Sequence, residues 1–243
     1  MDTKTKICAL CGKRETDDDP ITSEHVPPKQ FYPKSMRDGL NLWTEIPTHE
    51  PCNSQHKLDE EYVYHAMYPL VARNNPEMAK ILLEDLTRRA KKPQTRNLMK
   101  KILRNVESTS PGGIALPPGV VFVEVDLARL EQVAIKIGRC LYFRDFIRFM
   151  PYENCKDIRI FEDEQSVPEM YQISWGLSKV HVNDMPPAEP GGNIVIPEAD
   201  EGRPKAACEK VFSYRSLRHD DYYSCSLLFW ESFMVCMTFE ESE

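Results

Sequence analysis

The sequence predicts an α+β protein divided near residue 110, with an α-rich first part and an α+β second part. Three observations carry that reading. A helical region runs from SQHKLDEEYVYHAMYPLVA (54–72) into the basic run RRAKKPQTRNLMKKILRN (88–105). A β-branched alternating run, VVFVEVD (120–126), is followed by a long segment with apolar residues at helical spacing (127–150). The tail, from EKVFSYRSLRH onward, reads as two or three strands. With 243 residues, 41% hydrophobic and 28% charged, the chain is long and apolar enough to bury a sizeable core, and wholesale disorder is not expected. No apolar run approaches ~18 residues, so no membrane-spanning helix is expected. The first residues, MDTKTKICALCGKRETDDDP, lack the apolar stretch of a secretory signal, and a cytoplasmic protein is expected.

Taken in order, each segment has its own signal. Residues 1–68 hold 8 basic and 12 acidic side chains, 69–110 hold 10 and 4, and 111–243 hold 13 and 22. The net charge of −7 therefore hides one basic helical stretch, in which Lys91, Lys92, Arg96, Lys100 and Lys101 are candidates for contact with a nucleic-acid backbone. A solvated helix face is the plainer reading of such a run, unless nucleic-acid chemistry lies beside it. The Pro/Gly-rich stretches at 108–119 and 183–205 mark loops. In the helix of 127–150, Leu130, Val133, Ile137, Cys140 and Leu141 line one face. Tyr222, Leu227, Phe229, Phe233, Val235 and Met237 supply the apolar positions of the tail strands. The three tryptophans, Trp43, Trp175 and Trp230, are expected in the core.

The first quarter of the chain carries the chemistry. Eight cysteines without a secretory signal argue against a disulfide framework. Cys8-x2-Cys11 followed by Gly12 makes a tight turn that aims two thiolates at one ion, and His49-x2-Cys52 supplies a second short-spaced pair. Three thiolates and one imidazole suit tetrahedral Zn²⁺, and four filled positions make it a structural site.

Between and across these pairs lie TSEHVPPKQFYP (22–33) and CNSQHKLDEEY (52–62). The order CxxC, Glu-His-Val-Pro-Pro, Asn41-Leu42 and x2-Cys-Asn resembles the HNH endonucleases, over about residues 6–65. The resemblance implies a ββα-metal module, in which a hairpin delivers the acidic-His pair and the following helix delivers the last Asn or His. It implies that His25 is the general base and that Glu24 and Asn53 are hard oxygen ligands for a catalytic Mg²⁺ or Mn²⁺. Asn41 corresponds to the residue that braces the base-bearing loop, and His56 to a contact with the metal site or phosphate. The last motif position stays open between Asn53, His56 and Asp59. His49 stands where the family more often has Cys, and Glu24 where Asp is commoner. Asn53 and Ser54 could each N-cap the helix, Asp59, Glu60 and Glu61 suit its positive end, and His65 suits core packing.

The resulting organisation is an N-terminal zinc-stabilised HNH nuclease module (1–68), a basic helical segment (69–110) and an α+β domain (111–243). The expected function is metal-dependent hydrolysis of DNA, double-stranded for preference, with ties to mobile elements or defence against foreign DNA implied by the resemblance. A zinc-stabilised module that binds nucleic acid or protein without chemistry is the competing reading. The second domain suits target recognition, dimerisation or docking to a protein partner, and its acidity argues against broad DNA contact.

Overall fold

A computed structural model describes residues 6–37, 44–104, 106–117, 122–162, 211–219 and 221–241. The chain is mixed α+β. Two strands, β1 (Ile21–Val26) and β2 (Thr44–His49), form an antiparallel hairpin in which Glu24 faces Ile46 and His25 faces Glu45. Helix α1 (Glu50–Ser54) follows β2 directly, then α2 (Lys57–Ala66) and α3 (Tyr68–Asn74). The expected single helix of 54–72 is thus broken. Pro69, in the first turn of α3, cannot continue the hydrogen-bond ladder of the preceding helix. Two amphipathic helices come next, α4 (Pro76–Arg89) and α5 (Pro93–Arg104), each opened by proline. The Asn75 side chain caps α4 by accepting from the Met78 N–H at 3.1 Å.

Short strands β3 (Val106–Glu107) and β4 (Phe122–Val123) pair with each other. The strand expected over 120–126 is therefore confined, among the described residues, to 122–123, because β3 offers it a partner two residues long. The chain then enters α6 (Leu127–Phe146), whose first turn is capped by Asp126. Every residue of α6 from Val133 to Phe143 is buried, so this helix is enclosed on all sides. Strands β5 (Cys155–Phe161), β6 (Phe212–His219), β7 (Tyr222–Phe229) and β8 (Phe233–Glu240) form an antiparallel sheet in the order β5-β8-β7-β6. Helix α6 packs on β7 and β8 on one side and on β1, β2 and α2 on the other. A Cβ at Gly138 would lie 3.0 Å from Met237 Cε and 3.2 Å from the Phe239 ring, so glycine is what lets helix and sheet approach.

One apolar core runs from Cys8 to Phe239 and includes residues on both sides of position 110. Trp230, in the turn between β7 and β8, is fully buried against Phe31 and Tyr64, and its Nε1–H donates to the Phe31 carbonyl at 3.2 Å. Trp43 and Trp175 lie outside the described residues. Among the described residues, no helix is long and apolar enough to cross a membrane.

Candidate functional site

Two neighbouring centres form where the N-terminal turn, the hairpin, α1 and α6 meet. The first is the cysteine cluster. The N–H of Gly12, at φ +72°, donates to the Cys8 carbonyl at 2.9 Å and closes the turn that brings Cys11 back over Cys8. The Ala9 N–H donates to the Pro47 carbonyl at 2.9 Å, which docks the turn on β2. His49 ends β2 and Cys52 lies in α1, so the junction of strand and helix supplies the second pair. The ligand atoms of Cys8, Cys11, His49 and Cys52 all lie within 4.8 Å of one another. His49 Nδ1 is 3.3 Å from Cys11 Sγ, and the His49 N–H donates to Cys8 Sγ at 3.4 Å. Arg139 of α6 fastens the turn from behind, donating to the carbonyls of Leu10 (2.5 Å) and Met150 (2.6 Å).

This donor set fits a structural metal such as zinc. Burial opposes ionisation of Cys8, but N–H groups of His49, Leu10 and Cys11 outweigh it and lower the thiol pKa. Cys52 is pushed up to about 12, by burial first and by the charge of Cys8 second. Three thiols this close can all ionise only around a cation, and a bound metal supplies that charge.

The second centre is a cleft of about 340 Å³ whose lining includes Glu24, His25, Lys29, Asn53, Lys57 and Glu60. Strand β1 presents Glu24 and His25, α1 presents Asn53, and α2 presents Glu60. The His25 side chain is 31% exposed, with Nε2 3.8 Å from Glu45 Oε1. Burial and then the Lys29 ammonium lower its pKa below the ordinary imidazole value, with Glu45 opposing, which favours the neutral, proton-accepting form at pH 7. Glu24 is buried, and burial raises its pKa while the Lys136 ammonium opposes the shift.

Asn53 caps no helix here: its Oδ1 faces Lys136 Nζ at 3.4 Å. His56 is buried, is absent from the cleft lining, and is pushed down to about 4 by burial and then by Lys136, so it faces the interior. Asp59 is bound by Arg129 at 2.5 Å, away from the cleft wall. Asn41 lies outside the described residues. Lys91, Lys92, Arg96, Lys100 and Lys101 are all exposed. The basic segment touches the cleft at one residue: Gln94 lines it, and next to it Thr95 Oγ1 donates to Glu61 Oε1 at 2.7 Å.

Two residues escaped the sequence reading. Glu60 was one of three acids at a helix start, and Lys136 lay in a helix read for its apolar face. Lys136 is 1% exposed and donates to Glu24 Oε1 (2.9 Å) and Glu60 Oε1 (2.5 Å). Burial opposes its charge, but Glu60 and Glu24 together raise its pKa above the ordinary lysine value. A signal for it exists in VAIKIGRC (133–140), where two cations, Lys136 and Arg139, interrupt an apolar run. No protein-family model, curated protein or solved structure matches the chain.

Proposed function

We propose that this cleft is the active site of an HNH-type endonuclease that hydrolyses DNA phosphodiester bonds with a divalent metal ion. The observation that carries the proposal is the meeting of Glu24, His25 and Asn53 in one cleft beside the cysteine cluster, at the junction of a hairpin and a helix. A module that only binds needs the cysteines and has no use for that trio. Further support comes from the exposed basic residues of 91–104, whose stretch contributes Gln94 to the cleft lining.

His25 is the general base, taking a proton from the water that attacks phosphorus, and its lowered pKa keeps the imidazole neutral for that task. Glu24 and Asn53 supply hard oxygens that would hold Mg²⁺ or Mn²⁺. When bound, such an ion stabilises charge on the phosphate and on the leaving 3′ oxygen. Lys29 and Lys57 line the cleft and bring positive charge to the phosphate. Lys91, Lys92, Arg96, Lys100 and Lys101 hold the flanking backbone.

The test is incubation of the zinc-loaded protein with plasmid and linear DNA, with Mg²⁺, Mn²⁺ or EDTA. His25→Ala should keep its zinc and its stability within about 1 kcal/mol, while cleavage falls by about 10²–10⁴-fold. Absence of cleavage by the wild type under every divalent metal, or equal cleavage by His25→Ala, would sink the nuclease and leave the binding module.

A further inference from the structure

Three oxygen atoms from three elements converge behind the cleft wall. Glu24 Oε1 comes from β1, Asn53 Oδ1 from α1 and Glu60 Oε1 from α2, at 2.9, 3.4 and 2.5 Å from one nitrogen, Lys136 Nζ. An ammonium has three protons to give, and here each finds an acceptor. Glu24 and Glu60 are both buried, so two like charges share a site that water does not screen and that needs a cation to hold it together. The same set, two carboxylates and an amide carbonyl, is the donor chemistry of a hard divalent ion.

We propose that Glu24, Asn53 and Glu60 form one oxygen-lined cation site whose resident ion is the Lys136 ammonium, and that a divalent metal binds there in competition with it. Glu60 is then a metal ligand that the HNH motif does not contain. Glu60 Oε2 is held by Gln30 Nε2 at 2.7 Å, which leaves Oε1 as the atom that changes partner. The role of the metal in cleavage rests on the nuclease reading, whereas the competition for the site does not.

The test is a titration of zinc-loaded protein with Mn²⁺, with free Mn²⁺ followed by electron paramagnetic resonance and no DNA present. Lys136→Met should bind one Mn²⁺ at least about tenfold more tightly than wild type, because a unit charge a few ångströms away in a partly buried site outweighs one decade in affinity. Adding Glu60→Gln to Lys136→Met should abolish most of that gain. Should Lys136→Met fail to fold, the charge-balanced comparison decides: Glu60→Gln/Lys136→Met should still bind Mn²⁺ more tightly than Glu60→Gln alone. A folded Lys136→Met with unchanged or weaker affinity overturns the proposal, as does a gain indifferent to Glu60, or no difference within the balanced pair. Plasmid cleavage measured in parallel separates the two readings. Absence of cleavage with the affinity pattern intact removes the nuclease alone, and cleavage with no change in affinity removes the competition alone.

Discussion

At the scale of single residues, burial decides which histidine does what. His25 is partly exposed in the cleft, whereas His65 is 5% exposed and neither of its ring nitrogens has a hydrogen-bond partner among the described residues. Burial first, and the Arg89 charge second, push the pKa of His65 down to about 4. The unfolded chain binds that proton at an ordinary pKa of about 6.5. Stability is therefore fully present above pH 6.5 and is lost as pH falls toward 4. His65→Phe, which keeps a ring against Tyr64, should flatten this acid limb. Between pH 6.5 and 4 the wild type should lose about 3 kcal/mol more than the variant. Urea unfolding of both proteins across that range measures it, and acid loss of the metal, common to both, cancels in the difference. Parallel profiles would mean that His65 is hydrated or partnered in solution.

At the scale of elements, the basic segment and the buried helix show what a pattern can and cannot say. In α5, Thr95 and Ile102 are buried while Arg96, Lys100, Lys101 and Arg104 are exposed. That is an amphipathic helix whose polar face carries the charge. If this face follows DNA, Lys91, Lys92, Lys100 and Lys101 changed together to Gln should weaken binding about equally for all sequences. The salt dependence should become shallower by just under one unit per lost phosphate contact. Fluorescence anisotropy over a range of salt reads both quantities, and an unchanged slope would return the stretch to a solvated face. Helix α6 behaves differently. Its apolar positions Leu130, Val133, Ile137, Cys140 and Leu141 are legible as one face, and all five are buried. Enclosure of the other faces is not legible, because it depends on a hairpin whose first strand lies more than a hundred positions before Val133 and on a sheet that comes later.

At the scale of the molecule, the cysteine cluster and the sheet share one core. Cys8 belongs to the same apolar cluster as Phe239, Arg139 of α6 holds the Leu10 carbonyl, and Trp230 of the β7–β8 turn is wedged against Phe31 and Tyr64. Local loss at the cluster should therefore spread. Elemental analysis of the dialysed wild type should find about one zinc per chain, and Cys52→Ala should lose it together with several kcal/mol of stability. Calorimetry should show the whole unfolding transition moving to lower temperature as one step. A separate sheet transition that stays at the wild-type temperature would contradict a shared core, and absence of zinc from freshly purified wild type would contradict the site.

The sequence by itself determined the features that are short-range. Cys8 and Cys11, and His49 and Cys52, are pairs three positions apart, and Glu24-His25 and Cys52-Asn53 are adjacent, so local turns and one hairpin suffice to bring them out. The mixed α+β class and the strand character of the tail follow from periodicity in the same way. Only the tertiary structure decided what stands behind Glu24. The partner is Lys136, 112 positions away, and the cation that interrupts an apolar run there does not say which carboxylates it meets. A buried ion pair leaves no period or spacing in a sequence, because its two halves are matched in space by packing and charge alone. The same reason made Glu60 look like an ordinary helix-start acid until the fold set it opposite an ammonium.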